Sequence, residues 1–440
     1  MSLSMSGRLD RLPIVSFHRR IMLVLALAFF LEFGDINTFS FVAPAVMQAW
    51  GLSVTTIGLV VSATFIGMFL GATTGGWLGD RVGRKRALIL TTAWFSGCSL
   101  LNSLVWSSAG LIVTRLLTGM GLSAMTVLGL TYISEMFPAR RRGAFQGWIL
   151  AIGLLGIPVT AYVARFLIPL TPWGWRLVFV WGSLGLLFPI FAEQTLEESP
   201  RWYVSRGRYE EADEVLKRIE DSARAELGEL PPLEERVAGE APSGDKLSLL
   251  QEPYFSRTFI LLCAWICQTL GFYGFMAWVP TLLVTQGFSL VNSLVWSSAM
   301  QLGAVPGAVL GALLADRYER KWSICVVAVA IAVCGLIYGM AHKTVLIVVF
   351  GFLVAMLIQT IAPLLYVYTA ECYPTPLRTS GAGLTYGAGR LANTVGPLGV
   401  AFLLNHYGYG SVFVYIAACW IMVALIVGLF GPYTRGRLLN

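Results

Sequence analysis

The chain has 440 residues, of which 56% are hydrophobic and only 12% are charged, and its formal net charge is +7. Because a soluble globular domain carries about 25% charged residues, this composition excludes an ordinary soluble enzyme or binding module. Apolar runs of membrane-spanning length recur along the chain, which indicates a polytopic membrane protein. Basic cytoplasmic loops account for the positive net charge, so it does not indicate nucleic-acid binding.

Twelve apolar runs are predicted to be membrane-spanning helices, numbered here in chain order. They lie near residues 21–43, 55–78, 87–105, 110–134, 143–166 and 175–192, and then near 258–282, 290–315, 322–341, 344–370, 380–404 and 411–430. Residues 193–257, called the linker below, are polar, and the spacing of their acidic and basic residues predicts short amphipathic helices. Residues 1–17 and 431–440 are predicted to be tails.

Basic residues gather in the loops on one side of the predicted spans. They comprise Arg81, Arg84, Lys85, Arg86, Arg140, Arg141, Arg142, Arg317, Arg320, Lys321 and Arg378. Cytoplasmic loops of membrane proteins carry an excess of Lys and Arg. We therefore expect a multi-pass protein of the cell (inner or plasma) membrane, with both termini and the linker in the cytoplasm.

Two acidic residues interrupt the first apolar run. Counted from Ile21 at about 1.5 Å per helical residue, Glu32 lies roughly 17 Å and Asp35 roughly 21 Å into a hydrocarbon core about 30 Å thick. Carboxyls at this depth are energetically costly, and they usually face a cavity and carry a function. The i,i+3 spacing places both on one face of the helix.

Two motifs occur twice in the chain, at one offset in the numbering. Gly75-x4-Asp80-Arg81-x-Gly83-Arg84-Lys85 follows span 2, and Gly311-x4-Asp316-Arg317-x-Glu319-Arg320-Lys321 follows span 8, so the offset is 311 − 75 = 236. The segment from Tyr132 to Pro138, with Arg142, recurs as Tyr368 to Pro374, with Arg378, and again 368 − 132 = 236. Two motifs in one register indicate two homologous halves. They predict an N-terminal six-helix bundle, 18–192, and a C-terminal one, 258–430.

The repeated Gly-x4-Asp-Arg-x-Gly-Arg-Lys loop resembles the signature of the major facilitator superfamily, and the resemblance covers nearly the whole chain. It implies an all-α polytopic membrane protein whose 12 transmembrane helices form two pseudo-symmetric bundles that rock about a central site. It also implies that the loop motifs latch the outward-open state, since hydrogen bonds formed in only one state bias the equilibrium. The matching positions are Asp80, Arg81, Arg84, Glu135 and Arg142 in the first half and Asp316, Arg320, Glu371 and Arg378 in the second. Static ion pairs within the loops are the alternative.

Span 11 carries an arginine at membrane depth. Counted from Ser380, Arg390 lies roughly 15 Å deep, and Tyr386 and Asn393 share its helix face. A guanidinium can bind a carboxylate through two parallel hydrogen bonds, so these three residues are predicted to bind an anionic substrate. A structural ion pair between Arg390 and Glu32 or Asp35 is the alternative interpretation.

The carboxyls of span 1 are predicted to carry a coupled proton. Burial and a neighbouring arginine shift a carboxyl pKa in opposite directions, so such a group can bind a proton in one state and release it in another. Asp35 is the first candidate and Glu32 the second. Arg115 in span 4 matches a family motif linked with proton coupling, although helix packing also accounts for it.

Aromatic and amide residues of spans 7 and 10 are predicted to complete a substrate cavity. They are Gln268 and Tyr273 in span 7 and Gln359 and Tyr366 in span 10. Several inward-facing aromatic side chains would stack on an aromatic ring. Each of them singly also fits a core or lipid-facing position.

Three segments resemble one branch of the superfamily. Glu32-x-x-Asp35 is similar to the acid-x-x-Asp pattern of aromatic-acid:proton symporters and niacin permeases. In the symporters, the first of these two acidic residues is usually aspartate. The segments Tyr273 to Pro280 and Tyr368 to Thr375 resemble that branch and the organic-ion transporters. The anion carriers among these have an arginine in span 11, which Arg390 matches. The resemblance implies proton symport of a small aromatic carboxylate such as nicotinate or a hydroxybenzoate.

Other functions stay open at this point. Glu198-Ser199-Pro200-Arg201-Trp202 resembles sugar porters, although span 7 has only Gln268 of the paired glutamines and asparagine with which they bind hexoses. A facilitative or proton-coupled carrier of sugars or organic cations is therefore one alternative. A transporter-like receptor that does not transport is another.

Enzyme chemistry is not expected. The sequence has no Gly-Lys-Ser/Thr phosphate loop, no Cys/His cluster with zinc spacing and no nucleophile elbow. We therefore predict no cofactor and no metal. The expected partners are a small organic anion, protons and the lipid bilayer, without nucleic acid. Because one chain contains both halves, a monomer is expected to suffice.

Overall fold

The computed structural model describes residues 7–138, 141–230 and 248–434, except for the side chains of Asp316, Thr375, Pro376 and Thr379. Within these ranges, eleven helical segments are long and apolar enough to cross a membrane. Spans 1 to 6 are Ser16–Trp50, Val54–Val82, Arg84–Leu104, Ser108–Met136, Arg142–Leu170 and Gly174–Thr195. Spans 7 to 10 and 12 are Tyr254–Met276, Leu290–Ala315, Arg320–Met340, Thr344–Glu371 and Tyr409–Phe430. The prediction of an all-α membrane protein is confirmed.

Span 11 is an interrupted helix. It consists of Thr375–Ala392 and Gly396–Tyr407, with a turn between them. Span 5 is divided in the same way into Arg142–Leu154 and Gly156–Leu167, and span 8 into Leu290–Gln301 and Ala304–Arg317. Span 7 continues into a short helix, Val279–Thr285. Interruptions at membrane depth are tolerated where surrounding protein or a water-filled cavity satisfies the freed backbone groups.

A ladder of glycines is repeated in the two halves. In span 2, Gly67, Gly71 and Gly75 pack against the backbone of Leu116, Met120 and Ala124; in span 8, Gly303, Gly307 and Gly311 pack against that of Phe352, Met356 and Thr360. Corresponding members have the same offset as the loop motifs (303 − 67 = 236 and 352 − 116 = 236). A Cβ on Gly71 would lie 2.0 Å from the Met120 carbonyl oxygen. Small residues thus allow close helix contact, and the register found in the loop motifs extends through the helices.

The linker contributes a helix, Tyr209–Leu227, that packs on the N-terminal half. Leu9, Leu12 and Val15 are buried in the same hydrophobic cluster as the apolar face of this helix. Ion pairs surround the contact: Arg8 contacts Glu220 at 2.8 Å and Asp213 at 2.6 Å, and Arg11 contacts Glu220 at 2.6 Å. The segment before span 1 therefore fastens this helix to the first half.

Glu220 lies at the centre of these ion pairs, which makes its stabilising effect depend on pH. Burial opposes its ionisation, but Arg8 and Arg11 outweigh this and hold the pKa of Glu220 below its ordinary value. A group with a depressed pKa stabilises the fold above its unfolded pKa, about 4.3 for glutamate, and loses that effect as pH falls through the folded value. We expect Glu220→Gln to lower stability at pH 7 by about 1–2 kcal/mol.

Thermal unfolding of detergent-solubilised protein checks this prediction. The difference in melting temperature between wild type and Glu220→Gln should be largest near neutral pH and should shrink below about pH 4. Glu210→Gln is the matched control, because Glu210 is exposed on the same helix. A difference that is the same at pH 7 and at about pH 3 would contradict the ionic explanation.

The two halves contact each other at the end of the bundle remote from the linker. Asn405 Nδ2 of span 11 donates a hydrogen bond to Thr55 Oγ1 of span 2 at 3.1 Å. One turn further along span 2, a Cβ on Gly58 would lie 3.2 Å from the Pro397 carbonyl oxygen. Span 2 begins at this end and finishes at Val82, next to the linker. The structure is therefore closed at the end opposite the linker.

Candidate functional site

A buried ion pair lies in the N-terminal half. Arg115 Nη1 of span 4 is 3.0 Å from Asp35 Oδ1 of span 1, and both side chains are at most 1% exposed. Arg115 Nε also donates a hydrogen bond to Thr64 Oγ1 at 3.3 Å. Gly182 of span 6 leaves room for the carboxylate, since a Cβ there would lie 2.6 Å from Asp35 Oδ2. The structure thus brings together two predicted site residues that are 80 positions apart in the chain.

Glu32 lies one helical turn from Asp35 and has a different environment. It is 2% exposed, and its Oε1 accepts a hydrogen bond from Thr126 Oγ1 at 2.9 Å. Its Oε2 is buried without a hydrogen-bond partner among the described residues. The positive charge that acts on the Glu32 carboxyl is that of Arg390 in the other half. Of the two predicted carboxyls, Glu32 is therefore the one on which the charge of the span 11 arginine acts.

Arg390 ends the first helix of span 11, directly before its break. Its Nε donates a hydrogen bond to Tyr386 Oη at 3.0 Å, and its Nη2 bonds to the same oxygen. The guanidinium carbon lies 5.0 Å from the centre of the Tyr386 ring. Its Nη1 is buried and has no hydrogen-bond partner within the described ranges. Asn393, in the break, is 1% exposed, and its Oδ1 is likewise unpartnered there.

Three aromatic rings form a cluster beside Arg390. The ring of Trp265 lies 4.9 Å from that of Tyr366 and 5.2 Å from that of Tyr386, and the two tyrosine rings are 5.5 Å apart. Trp265 Nε1 donates a hydrogen bond to Thr369 Oγ1 at 3.0 Å, which holds the indole in place. The sequence analysis missed Trp265. Its position three residues before Gln268, on the same face of span 7, is the signal that was available.

The remaining predicted binding residues lie at different distances from this cluster. Tyr273 of span 7 packs edge-on against Phe65 of span 2, with ring centres 4.6 Å apart, and so bridges the halves. Gln268 accepts a hydrogen bond from its neighbour Thr269 at 3.1 Å. Gln359 packs where spans 8 and 10 touch, 3.1 Å from the position of a Cβ on Gly307. The described contacts thus connect Tyr366, Tyr386 and Arg390, with Tyr273 at the interface, and do not include Gln359.

The loop motifs form one ion pair that is repeated in both halves. Arg84 contacts Glu135 at 3.2 Å, and the corresponding residues of the second half, Arg320 and Glu371, are also 3.2 Å apart. Arg84 contacts Asp80 as well, at 2.6 Å. Each of these ion pairs joins residues of a single half.

The other predicted latch residues have different surroundings. Arg81 lies over the Trp77 ring at 5.1 Å, and Arg142 Nη2 donates to the Phe137 carbonyl oxygen at 3.5 Å. Arg378 is exposed, and the side chain of Asp316 lies outside the described residues.

Glu198 was not among the predicted site residues, yet it connects the linker to the first loop motif. Its Oε1 accepts hydrogen bonds from the backbone N–H groups of Arg84 at 2.6 Å, Lys85 at 3.0 Å and Ser199 at 2.9 Å. A carboxylate is favourable at a helix N-terminus. Burial nevertheless raises the pKa of Glu198. Gly83, at φ 101°, permits the contact, because a Cβ there would lie 2.2 Å from Oε2.

A family model described as sugar (and other) transporter matches residues 51–440. This match covers most of the chain. The chain belongs to this family of the major facilitator superfamily. This match confirms the predicted superfamily and its fold of twelve membrane-spanning helices. It also confirms the prediction that the protein is not an enzyme. The protein is a multi-pass membrane transporter of metabolites.

Similar proteins extend over the whole length of this transporter. The putative metabolite transport protein YyaJ of Bacillus subtilis is 42% identical over 434 residues, covering 98% of this chain and 96% of the relative. The niacin transporter NiaP of Acinetobacter baylyi is 30% identical over 442 residues, covering 99% and 98%. A partially occluded inward open structure of the xylose transporter XylE from E. coli has a TM-score of 0.77 at 19% identity, covering 96% of this chain and all of that one. This last similarity bears on the fold alone.

Proposed function

We propose that this transporter imports a small aromatic carboxylate, such as nicotinate or a hydroxybenzoate, by proton symport and alternating access. The observation that carries the proposal is Arg390, which has a buried Nη1 without a described partner and lies beside the rings of Trp265, Tyr366 and Tyr386. A guanidinium suits a carboxylate, and clustered aromatic rings suit an aromatic ring. The niacin transporter relative supports the same substrate class.

Proton coupling is assigned to the Asp35–Arg115 pair. When the carboxylate is ionised, it compensates the buried arginine; when it binds a proton, that ion pair is lost. A buried charge without its partner is costly, so protonation favours a different packing of spans 1 and 4. Such a group links the proton to the conformational equilibrium, which symport requires. Glu32, on which the charge of Arg390 acts, is the second candidate for the proton.

The orientation and the latch are part of the same proposal. On this proposal both termini and the linker lie on the cytoplasmic side of the cell membrane, as the basic loops predict, and closure at the opposite end fits an inward-facing conformation. The loop ion pairs within each half agree with a released latch. The bundles 18–192 and 258–430 then move as the two rocking units, and a monomer suffices.

Uptake into proteoliposomes tests this function. Radiolabelled nicotinate and 4-hydroxybenzoate should accumulate only with an inward proton gradient, and a protonophore should abolish the accumulation. Xylose and tetraethylammonium, offered in the same vesicles, represent the sugar and organic-cation alternatives and should not accumulate. Uptake of xylose without uptake of either aromatic acid would overturn the proposal, as would aromatic-acid uptake that is independent of the gradient.

A further inference from the structure

Four side chains of the second half form an unbroken series of contacts that ends at Arg390. Thr369 Oγ1 of span 10 accepts the hydrogen bond from Trp265 Nε1 at 3.0 Å and donates one to the Leu365 carbonyl oxygen at 2.7 Å. The Trp265 ring packs edge-on against the Tyr386 ring, with ring centres 5.2 Å apart. Tyr386 Oη accepts hydrogen bonds from Nε and Nη2 of Arg390. This contact series therefore connects the backbone of span 10 with the guanidinium of span 11.

The contact series determines which part of the guanidinium stays available. Tyr386 Oη occupies the edge formed by Nε and Nη2 of Arg390. Nη1 is buried and has no hydrogen-bond partner among the described residues. Because the guanidinium is planar and rigid, holding one edge also fixes the direction of the remaining nitrogen. A binding group that is held in place beforehand loses less conformational freedom when a ligand binds.

The first half provides an internal comparison for this contact series. A Cβ on Gly389 of span 11 would lie 3.1 Å from the Trp265 carbonyl oxygen, and a Cβ on Gly153 of span 5 would lie 2.8 Å from Phe29 Cβ. Both partners have the offset of the repeat (389 − 153 = 236 and 265 − 29 = 236). Spans 7 and 11 are thus packed in the same register as spans 1 and 5.

The equivalent positions of the first half hold only apolar residues. Subtracting 236 from positions 265, 369, 386 and 390 leads to Phe29, Ile133, Leu150 and Leu154. None of these side chains has a hydrogen-bonding group or a charge. The packing of a six-helix half therefore does not require the polar contact series. Its presence in the second half alone indicates a role beyond folding.

We propose that Thr369, Trp265 and Tyr386 are positioning residues that hold Arg390 with its Nη1 directed to the substrate carboxylate. This inference rests on the proposed transport of a carboxylate. Thr369 and Trp265 are only 2% and 3% exposed, so they act through Tyr386 and not by touching the substrate. Thr369 fixes the indole, the indole supports the Tyr386 ring, and the Tyr386 oxygen fixes the guanidinium. Thr369 thus influences carboxylate affinity from outside the substrate site.

Equilibrium binding of radiolabelled nicotinate to purified Thr369 variants tests this role. Thr369→Val keeps the shape of the side chain but leaves the Trp265 N–H without its acceptor, and we expect Kd to rise about three- to tenfold. Thr369→Ser keeps the hydroxyl and should recover most of the affinity. Thr360→Val is the matched control, because Thr360 is also buried in span 10 but its hydroxyl donates only to its own helix, at the Met356 carbonyl oxygen. It should bind like wild type.

A double-mutant cycle with Arg390→Lys separates positioning from a general structural effect. Lysine keeps the charge of arginine but lacks its planar, fixed geometry. In Thr369→Val the guanidinium is no longer held, so Arg390→Lys should weaken nicotinate binding less than it does in wild type. Linked residues give non-additive effects, whereas independent ones give additive effects. Melting temperatures of all variants are measured alongside.

Each contrary outcome identifies what is wrong. Wild-type affinity in Thr369→Val would overturn the inference, and additive effects of Thr369→Val and Arg390→Lys would make Thr369 a purely structural residue. If Thr369→Val does not fold, the same cycle is run with Tyr386→Phe, which removes the acceptor of Arg390 directly and should again be non-additive. Failure of wild type itself to bind nicotinate would overturn the proposed function, and this inference would fall with it.

Discussion

Replacing Arg390 by alanine is expected to weaken nicotinate binding strongly and to reduce its uptake. In the proposed complex, the substrate carboxylate accepts hydrogen bonds from the guanidinium, and both groups are removed from water. Truncating one partner of such a buried charge pair costs about 2–5 kcal/mol, which corresponds to roughly a 30-fold or greater rise in Kd. Arg390→Lys should recover part of this loss, because it keeps the charge but not the two-pronged geometry.

Equilibrium binding of radiolabelled nicotinate to purified protein measures this effect directly. Binding should fall in the order wild type, Arg390→Lys, Arg390→Ala. Arg20→Ala, which removes an exposed cation near the start of span 1, serves as the control and should bind like wild type. Equal affinity of wild type and Arg390→Ala would remove Arg390 from the substrate site and favour a structural pairing with Glu32.

The second large effect is expected from Asp35→Asn, which removes the proposed proton site and keeps its shape. Nicotinate counterflow should continue, whereas accumulation driven by a proton gradient should disappear, so that internal and external substrate concentrations become equal. Without the carboxylate charge, Arg115 is left buried and uncompensated, at a cost of about 3–5 kcal/mol. Asp35→Asn combined with Arg115→Gln removes both charges and should restore stability without restoring accumulation.

Counterflow, accumulation and melting temperature are measured together for these variants and for Glu32→Gln. Retained accumulation in Glu32→Gln and its loss in Asp35→Asn would assign the proton to Asp35. The opposite pattern would assign it to Glu32, the carboxyl on which the charge of Arg390 acts. Wild-type accumulation in both variants is the result that would contradict a proton site on span 1.

The loop motifs illustrate how far local sequence patterns reach. Their common offset in the numbering predicted two homologous halves, and the same offset relates the Arg84–Glu135 and Arg320–Glu371 ion pairs. It recurs again in the glycine ladders of spans 2 and 8, of which the sequence analysis used only the last members, Gly75 and Gly311. A repeated fold needs the same small residues and helix-end charges in each copy. The offset between the two halves is therefore visible in the sequence.

The amino-acid sequence by itself determined the class of the protein and the number and order of its spans, and it predicts the depth of Glu32, Asp35 and Arg390. Hydropathy and the rise of a helix are local properties, and they place a residue along its own helix. The tertiary structure alone decided the partners across helices. It paired Asp35 with Arg115, brought Glu32 within the electrostatic influence of Arg390 and added Trp265 to the aromatic cluster. These choices depend on how each helix is rotated and packed against its neighbours, which no periodicity within a single helix specifies.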